Sequence, residues 1–197
     1  MDAELEVKIA NFWRWFGGEH MLLERELEGA TWLSVQKLDR YVRALDDRLR
    51  WDIGPGEHAP WMFVLSPNGQ RELLEITEAI MEHAPELPRW EFHAARPKKH
   101  WAEGRRRFDY DGIEVDAGDW TYWLEPHGSY FEITWIVPDL DALHGIDPEA
   151  LGHHLLECEV GEKNRLRHFT GVNIASAAEW STVLVAEPIG TLRARWP

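Results

Sequence analysis

Apolar side chains recur at helical spacing through the first 50 residues of the chain. The first stripe, at positions i, i+4, i+7 and i+11, consists of Leu5, Ile9, Phe12 and Phe16. This spacing places the four side chains on one face of a helix. Gly17-Gly18 then predicts a break, followed by a second helix from His20 to Leu27. The clearest helix is predicted from Trp32 to Leu49, where apolar residues recur every three or four positions opposite a charged face.

Between residues 51 and 96 the pattern changes to short apolar runs around one further helix. Trp51 to Ile53 and the run WMFVLS at 61–66 predict strands. A turn at Pro67-Asn68-Gly69 leads into a helix, and WEFHAA at 90–95 predicts the next strand. This order is typical of a unit in which one helix covers one face of a sheet.

From Arg107 to Val137 apolar and polar residues alternate with a period of two, which is typical of half-buried strands. Asp111-Gly112 and His127-Gly128 interrupt the alternation and predict the turns of two antiparallel hairpins. A last helix is predicted at 148–160, before an extended run, HFTGVNI.

Together these elements predict a single α+β domain over residues 1–197. Its helical portion covers 1–50 and its sheet-containing portion covers 51–197. We expect the N-terminal helices to pack on a mainly antiparallel, twisted sheet of about five strands.

Composition narrows the class of protein. No run of about 18 apolar residues occurs, and the start, MDAELEV, is acidic where a secretory signal is basic. A single cysteine, Cys158, allows no disulfide within the chain, so we expect a soluble cytoplasmic protein without membrane contact. The net charge of -14 disfavours binding to extended nucleic acid. The oligomeric state is left open.

Charge is distributed unevenly, because a basic segment lies within this acidic chain. Between Arg89 and Arg107 there are seven basic and two acidic residues, a net +5, against -19 for the remainder. Trp101, Arg105, Arg106 and Arg107 combine an aromatic ring with cations, a mixture that holds a small phosphorylated or carboxylated ligand. Alternatively, these cations are solvated and offset acidic neighbours.

Candidate catalytic residues are few. Glu91 and His93 share one face of the WEFHAA strand, and with His100 they could line a concave surface in which a histidine acts as a general base. The alternative is an ordinary strand histidine bonded to a neighbour. No serine or cysteine lies in a nucleophile motif beside them.

No metal or cofactor is predicted. His153 with Glu157, and His154 with Cys158, have the i, i+4 spacing of metal ligands, but the two pairs face different directions on the helix. The glycine-containing segments GGEH and GPGEH match neither a phosphate loop nor a dinucleotide-binding fingerprint.

Twelve tryptophans are distributed over every segment, which indicates that most of them belong to a core. Trp120 and Trp123 occupy opposite faces of the run WTYWLEP, so both faces of that strand carry a large ring. With Trp90 and Trp101, beside the basic segment, they are the tryptophans that we expect to contact a ligand or partner.

Several motifs carry a family resemblance: FWRWF, VLSPNG, HAPELPRWEFHAARPKK and LLECEVGE. Together they resemble an uncharacterised family of bacterial cytoplasmic proteins, a domain of unknown function. The stretch AP-x-LP-x-W at Ala84 to Trp90 is the most specific of them. The resemblance implies a fold and no reaction.

Two functional hypotheses follow from the sequence. The first is a non-catalytic binding protein that presents aromatic and acidic surface to a basic protein partner, as an inhibitor or accessory of it. The second is a small-molecule enzyme or anion receptor built around Glu91, His93, His100 and the arginines at 105–107.

Overall fold

The computed structural model describes residues 3–29, 33–102, 105–180 and 185–196. It divides into two compact units, residues 1–96 and 97–197, each with its own hydrophobic core. Helices and mostly antiparallel strands occur in both, so the α+β class is confirmed. The expected single sheet of about five strands is wrong: within the described residues the strands form three sheets, of three, two and four strands. That the chain is one domain stays a prediction.

The first unit begins with two helices and continues as a three-stranded sheet. Its elements are α1 (Ala3–Glu28), α2 (Leu33–Leu45), β1 (Arg50–Pro55), β2 (Trp61–Ser66), α3 (Arg71–Met81) and β3 (Trp90–His93). β1 and β2 form an antiparallel hairpin, and β3 lies parallel to β2 after the crossover through α3. The predicted unit of strands covered by one helix is therefore present. Trp32, the predicted start of α2, lies outside the described residues.

Helix α1 runs without interruption through Gly17 and Gly18, where the sequence predicted a break. Two mid-helix glycines cost about 1 kcal/mol each relative to alanine, and they introduce no steric clash. The buried stripe continues across them from Phe16 to Leu23, both with no exposed area. Packing of that stripe outweighs the local cost.

Aromatic rings dominate the core of the first unit. Phe12, Phe16 and Phe63 are fully buried, with ring centroids 5.5–6.1 Å apart. The buried indole of Trp13 donates from Nε1 to the carbonyl oxygen of Ile80 over 2.8 Å. That bond ties α1 to α3 and satisfies a polar atom that the core would otherwise leave unpaired.

The second unit contains a two-stranded and a four-stranded sheet. Its elements are β4 (Arg107–Tyr110), β5 (Ile113–Asp116), β6 (Thr121–His127), β7 (Tyr130–Val137), α4 (Pro148–Val160), α5 (Glu162–His168), β8 (Phe169–Ser176), β9 (Glu187–Pro188) and α6 (Leu192–Arg195). β4 and β5 pair as one hairpin and β6 and β7 as another, which confirms both predicted turns. Asp111 and Gly112 adopt positive φ angles of 52° and 79°, the geometry that an Asp-Gly turn favours.

Strands β8 and β9 complete the four-stranded sheet from distant parts of the chain. β8 lies parallel to β7, and β9 pairs antiparallel with the other side of β6, giving the order β8-β7-β6-β9. Long-range pairing of this kind leaves little trace in local periodicity, so the sequence predicted neither the partners nor the number of sheets.

Helix α4 approaches the four-stranded sheet closely at Gly152. Trp135 of β7 donates from Nε1 to the Gly152 carbonyl over 3.0 Å. A Cβ atom at position 152 would lie 2.8 Å from the Val172 side chain and 3.2 Å from that of Trp135. The glycine therefore sets the separation of helix and sheet. The helix begins at the predicted place, because the Asp147 side chain accepts the backbone N–H of Glu149.

Two glycine-to-alanine substitutions test this packing. Gly152→Ala is expected to destabilise the protein by about 1–3 kcal/mol, because the added methyl group overpacks the interface of α4 with β7 and β8. Gly17→Ala serves as its control, since nothing lies within 4 Å of a Cβ there. We expect Gly17→Ala to stabilise by about 0.5–1 kcal/mol. Urea unfolding followed by circular dichroism measures both, and two changes of the same sign would contradict the assignment.

Candidate anion-binding site

The residues that the sequence singled out fall in both units. Trp90, Glu91 and His93 belong to the first unit. The second unit contains His100, Trp101, Arg105, Arg106, Arg107, Trp120 and Trp123. Neither unit by itself assembles the full set of Glu91, His93, His100 and the three arginines.

Glu91 closes the loop that joins β1 to β2. Its Oε1 accepts the backbone N–H groups of His58 and of Ala59, the latter over 2.6 Å. Its Oε2 lies 3.3 Å from Nε2 of His93. Burial acts to raise the pKa of Glu91, but these three hydrogen bonds together hold it below its ordinary value. The contacts thus give Glu91 a structural role in the loop, and a catalytic role for it and His93 stays a prediction.

Three of the four candidate tryptophans, Trp90, Trp101 and Trp120, are core residues of their units. Trp90 is 5% exposed and donates from Nε1 to Glu24 over 2.8 Å. Trp120 is 4% exposed and packs in the core of the second unit. Trp123 is half-buried on the opposite face of β6, with its ring centroid 6.0 Å from that of Trp180. The predicted split of the two faces of this strand is therefore observed.

A buried carboxylate organises the basic segment. Glu159 of α4 has no exposed area, and its Oε1 accepts a hydrogen bond from Trp101 Nε1 over 2.6 Å. Arg106 donates to the same oxygen from Nε over 3.0 Å, and Arg193 of α6 places its Nε 3.7 Å from Oε2. Two guanidinium groups and one indole thus compensate one buried negative charge.

Arg193 also holds the main chain around this carboxylate. It donates from Nη2 to the carbonyl oxygens of Lys99, over 2.5 Å, and Cys158, over 3.1 Å. The backbone N–H of Lys99 in turn donates to the Cys158 carbonyl over 3.0 Å. Next to it, burial and the charge of Arg193 lower the pKa of Lys98, which donates to the Trp196 carbonyl over 2.6 Å. Residues 98–99, α4 and α6 are therefore fixed relative to one another.

Outside this network lies an open depression of about 410 Å³. Its lining consists of Lys99, His100, Trp101, Ala102, Arg105 and Arg107. The Lys99 ammonium lies over the rings of Trp101 and Phe108, 5.1 and 5.5 Å from their centroids. Arg107 pairs with Asp116 over 2.7 Å, and that pairing raises the pKa of the arginine. We call this depression the basic depression.

The basic depression brings together four of the seven predicted residues of the second unit: His100, Trp101, Arg105 and Arg107. Arg106 points instead to Glu159, as expected on an extended segment whose side chains alternate in direction. The predicted stacking role of Trp101 has little room, because its ring is 6% exposed and packs against Lys99 and Phe108. Cations rather than a free ring face the solvent here.

The cysteine near the cations is not activated as a nucleophile, and the described residues form no metal site. Burial raises the pKa of the Cys158 thiol to about 11, so it is protonated at neutral pH, with His154 Nε2 3.6 Å from Sγ. Within the described ranges, no three histidine, cysteine or carboxylate side chains are grouped so that they could hold a metal ion.

Sequence reasoning missed Glu159, Lys99 and Arg193 as members of the site. Glu159 was detectable in principle, because it lies within the apolar stripe of α4 beside Cys158 and Val160, where a carboxylate needs a cationic partner. Nothing in the pattern of α6 indicated that Arg193 is that partner.

Comparison with known proteins adds no relative. No family model matches the chain, and neither a curated protein nor a solved structure gives a match. The resemblance to a bacterial family therefore gains no support from these comparisons, and the site rests on its own geometry.

Replacing the buried carboxylate of Glu159 tests how much it contributes to the free energy of unfolding. Glu159→Gln is expected to destabilise the protein by about 3–5 kcal/mol, because it leaves two guanidinium groups next to a neutral amide. Asp116→Asn breaks the solvent-exposed pair with Arg107 and serves as the control, with a much smaller expected loss. Urea denaturation at pH 7 measures both. Equal losses would show that Glu159 is not the organising charge.

The hydrogen bonds of the Glu91 carboxylate predict how the stability of the protein depends on pH. Because the folded-state pKa of Glu91 lies below its ordinary value of 4.5, the ionised carboxylate stabilises the fold above that pH. The contribution is lost as the pH falls through 4.5 toward the lower folded-state value. Glu91→Gln should therefore be less stable than the natural protein at pH 7, with a gap that narrows below about pH 4.5. Thermal unfolding between pH 3 and 7 measures the gap, and a gap independent of pH would refute the assignment.

Proposed function

We propose that this protein binds a small anion, and that the basic depression of the second unit receives its phosphate or carboxylate group. The proposal develops the anion-receptor hypothesis and places the activity in the cytoplasm. The observation that carries it is the placement of Lys99, Arg105 and Arg107 around one depression in a protein of net charge -14. A cationic depression within an acidic surface concentrates anions locally.

The network behind the depression supports this function by fixing its wall. Arg193 holds the Lys99 carbonyl, and the Trp101 indole is bonded to buried Glu159. Cations that are positioned before a ligand arrives lose less conformational entropy on binding it. Lys99 contributes most directly, since its ammonium rests on aromatic rings and has no carboxylate within ion-pair distance among the described residues.

The geometry also favours one ligand class. Because Trp101 offers almost no free ring surface, recognition depends on charge and hydrogen bonding rather than on stacking. An oxyanion or a compact phosphate monoester fits this description. Extended nucleic acid does not, since the net negative charge of the surrounding surface repels a phosphate backbone.

A second candidate function is the interaction with a basic protein partner that the sequence predicted. A groove of about 390 Å³ lies between the β5–β6 turn and the segment after β7. Its carboxylate-bearing residues are Glu114, Asp116, Asp119 and Asp139. This acidic groove, above buried Trp120, is complementary to a lysine or arginine side chain.

Calorimetric titration separates the two candidates. The probes are inorganic phosphate, phenyl phosphate and a synthetic peptide of alternating arginine and glycine. We expect inorganic phosphate to bind with a Kd of about 1 mM or tighter, more weakly as salt is added. Phenyl phosphate should gain little over it, because no ring face is free.

Matched variants complete the test. Lys99→Ala should weaken phosphate binding about tenfold, the value of one lost charge-assisted contact. Lys163→Ala removes an exposed cation of α5 and should leave the Kd unchanged. Phosphate affinity that is undetectable, or equal in the three proteins, would rule out the anion site. Peptide binding that disappears in Asp119→Lys would favour the basic partner instead.

A further inference from the structure

A depression in the first unit lies where α1 approaches α2, and the proposed anion site does not involve it. Its volume is about 550 Å³. We call it the interhelix groove. Its lining includes Leu22, Arg25, Glu26, Leu33, Ser34, Lys37 and Arg40.

Exposed apolar side chains border the interhelix groove. Leu22 is 41% exposed and Leu33 is 69% exposed, and Met21 next to Leu22 is 61% exposed. Most large apolar side chains of the described residues are buried, so two exposed leucines in the lining of one groove are unusual. Apolar surface grouped in this way marks an interaction site more often than scattered exposed residues do.

Cations flank these apolar residues, and the described part of the chain gives two of them no ion-pair partner. Arg25 and Arg40 are exposed, and neither has an ion-pair partner among the described residues. Lys37 differs from them, because its ammonium pairs with Glu19 at 4.0 Å. In a chain with 35 acidic and 21 basic residues, unpaired arginines beside exposed leucines indicate a ligand that supplies the carboxylates.

The floor of the groove is polar and well defined. Glu26 is 4% exposed, and its Oε2 accepts the backbone N–H of Ser34 over 2.8 Å. That bond fixes the start of α2 against α1. The Ser34 hydroxyl is fully buried and has no hydrogen-bond partner in the described parts of the chain. Buried polar atoms normally have partners, so this hydroxyl is an unused donor at the floor.

We propose that the interhelix groove docks an acidic amphipathic segment of a partner protein, with two apolar side chains against Leu22 and Leu33 and carboxylates on Arg25 and Arg40. This is the helix-in-groove mode of recognition, in which apolar anchors give affinity and flanking charges give register. The charge pattern argues for a compact acidic segment rather than an anionic membrane, because a flat lipid surface would also meet the partly exposed carboxylates of Glu19 and Glu28 on α1.

Selection from a displayed library of random 16-residue peptides, against the 197-residue protein, tests the proposal. Enriched peptides should be acidic, with apolar residues three or four positions apart. Fluorescence polarisation of the enriched peptides should then show about tenfold weaker binding to Arg25→Glu combined with Arg40→Glu, and to Leu33→Asp. Arg14→Glu and Val7→Asp, exposed positions of α1 outside the groove, are the matched controls and should bind as the natural protein does.

Four outcomes would overturn the proposal. The first two are a selection that yields no acidic binder, and enriched peptides that bind the groove variants as tightly as the natural protein. The third is binding to phosphatidylserine vesicles that is lost in the groove variants. The fourth is a dimer, detected by sedimentation, that the groove substitutions dissociate. The last two would assign the groove to a membrane surface or to a second copy of the chain. Because the groove and the basic depression lie in different units, phosphate titration of the same variants shows which proposal has failed.

Discussion

The second unit depends on the compensation of one buried charge. A carboxylate without solvent contact is stable only when donors surround it, and Glu159 receives them from Trp101, Arg106 and Arg193. Trp101 and Arg106 come from the segment before β4, and Arg193 comes from the final helix. The requirement to neutralise one side chain of α4 therefore brings together distant parts of the chain. It also turns Arg106 inward and leaves its neighbours at 105 and 107 to face the basic depression.

Long-range repulsion of anions by the whole protein and short-range attraction by basic surfaces together determine what this protein can bind. Its net charge of -14 repels large anions, yet the basic depression and the interhelix groove are both locally basic. A small or compact ligand reaches such a surface without bringing much of its own charge near the surrounding carboxylates, and screening by salt shortens the range of the repulsion. The combination selects for ligand size as well as for ligand charge.

Local elements were predictable from sequence and long-range ones were not. The turns at Asp111-Gly112 and His127-Gly128 depend on backbone conformations that few residues adopt, so residue identity alone predicted both hairpins. The predicted helix break at Gly17-Gly18 is absent, because packing of the buried face of α1 outweighs the low helix propensity of the two glycines. The location of the basic segment was predictable from composition. Which of its arginines point inward was not, because that depends on how Glu159 is positioned in the fold, 53 residues further along the chain than Arg106.

The indole hydrogen bonds have a spectroscopic consequence. Trp13 and Trp90 donate within the first unit, and Trp101 and Trp135 donate within the second. Protons held in such bonds exchange with solvent only when the surrounding structure opens. In a proton NMR spectrum of the twelve tryptophans, the resonances of these four indole N–H groups are thus separate reporters of the two units. Their rates of exchange into deuterated water distinguish a chain that opens as one cooperative body from a chain whose units open independently.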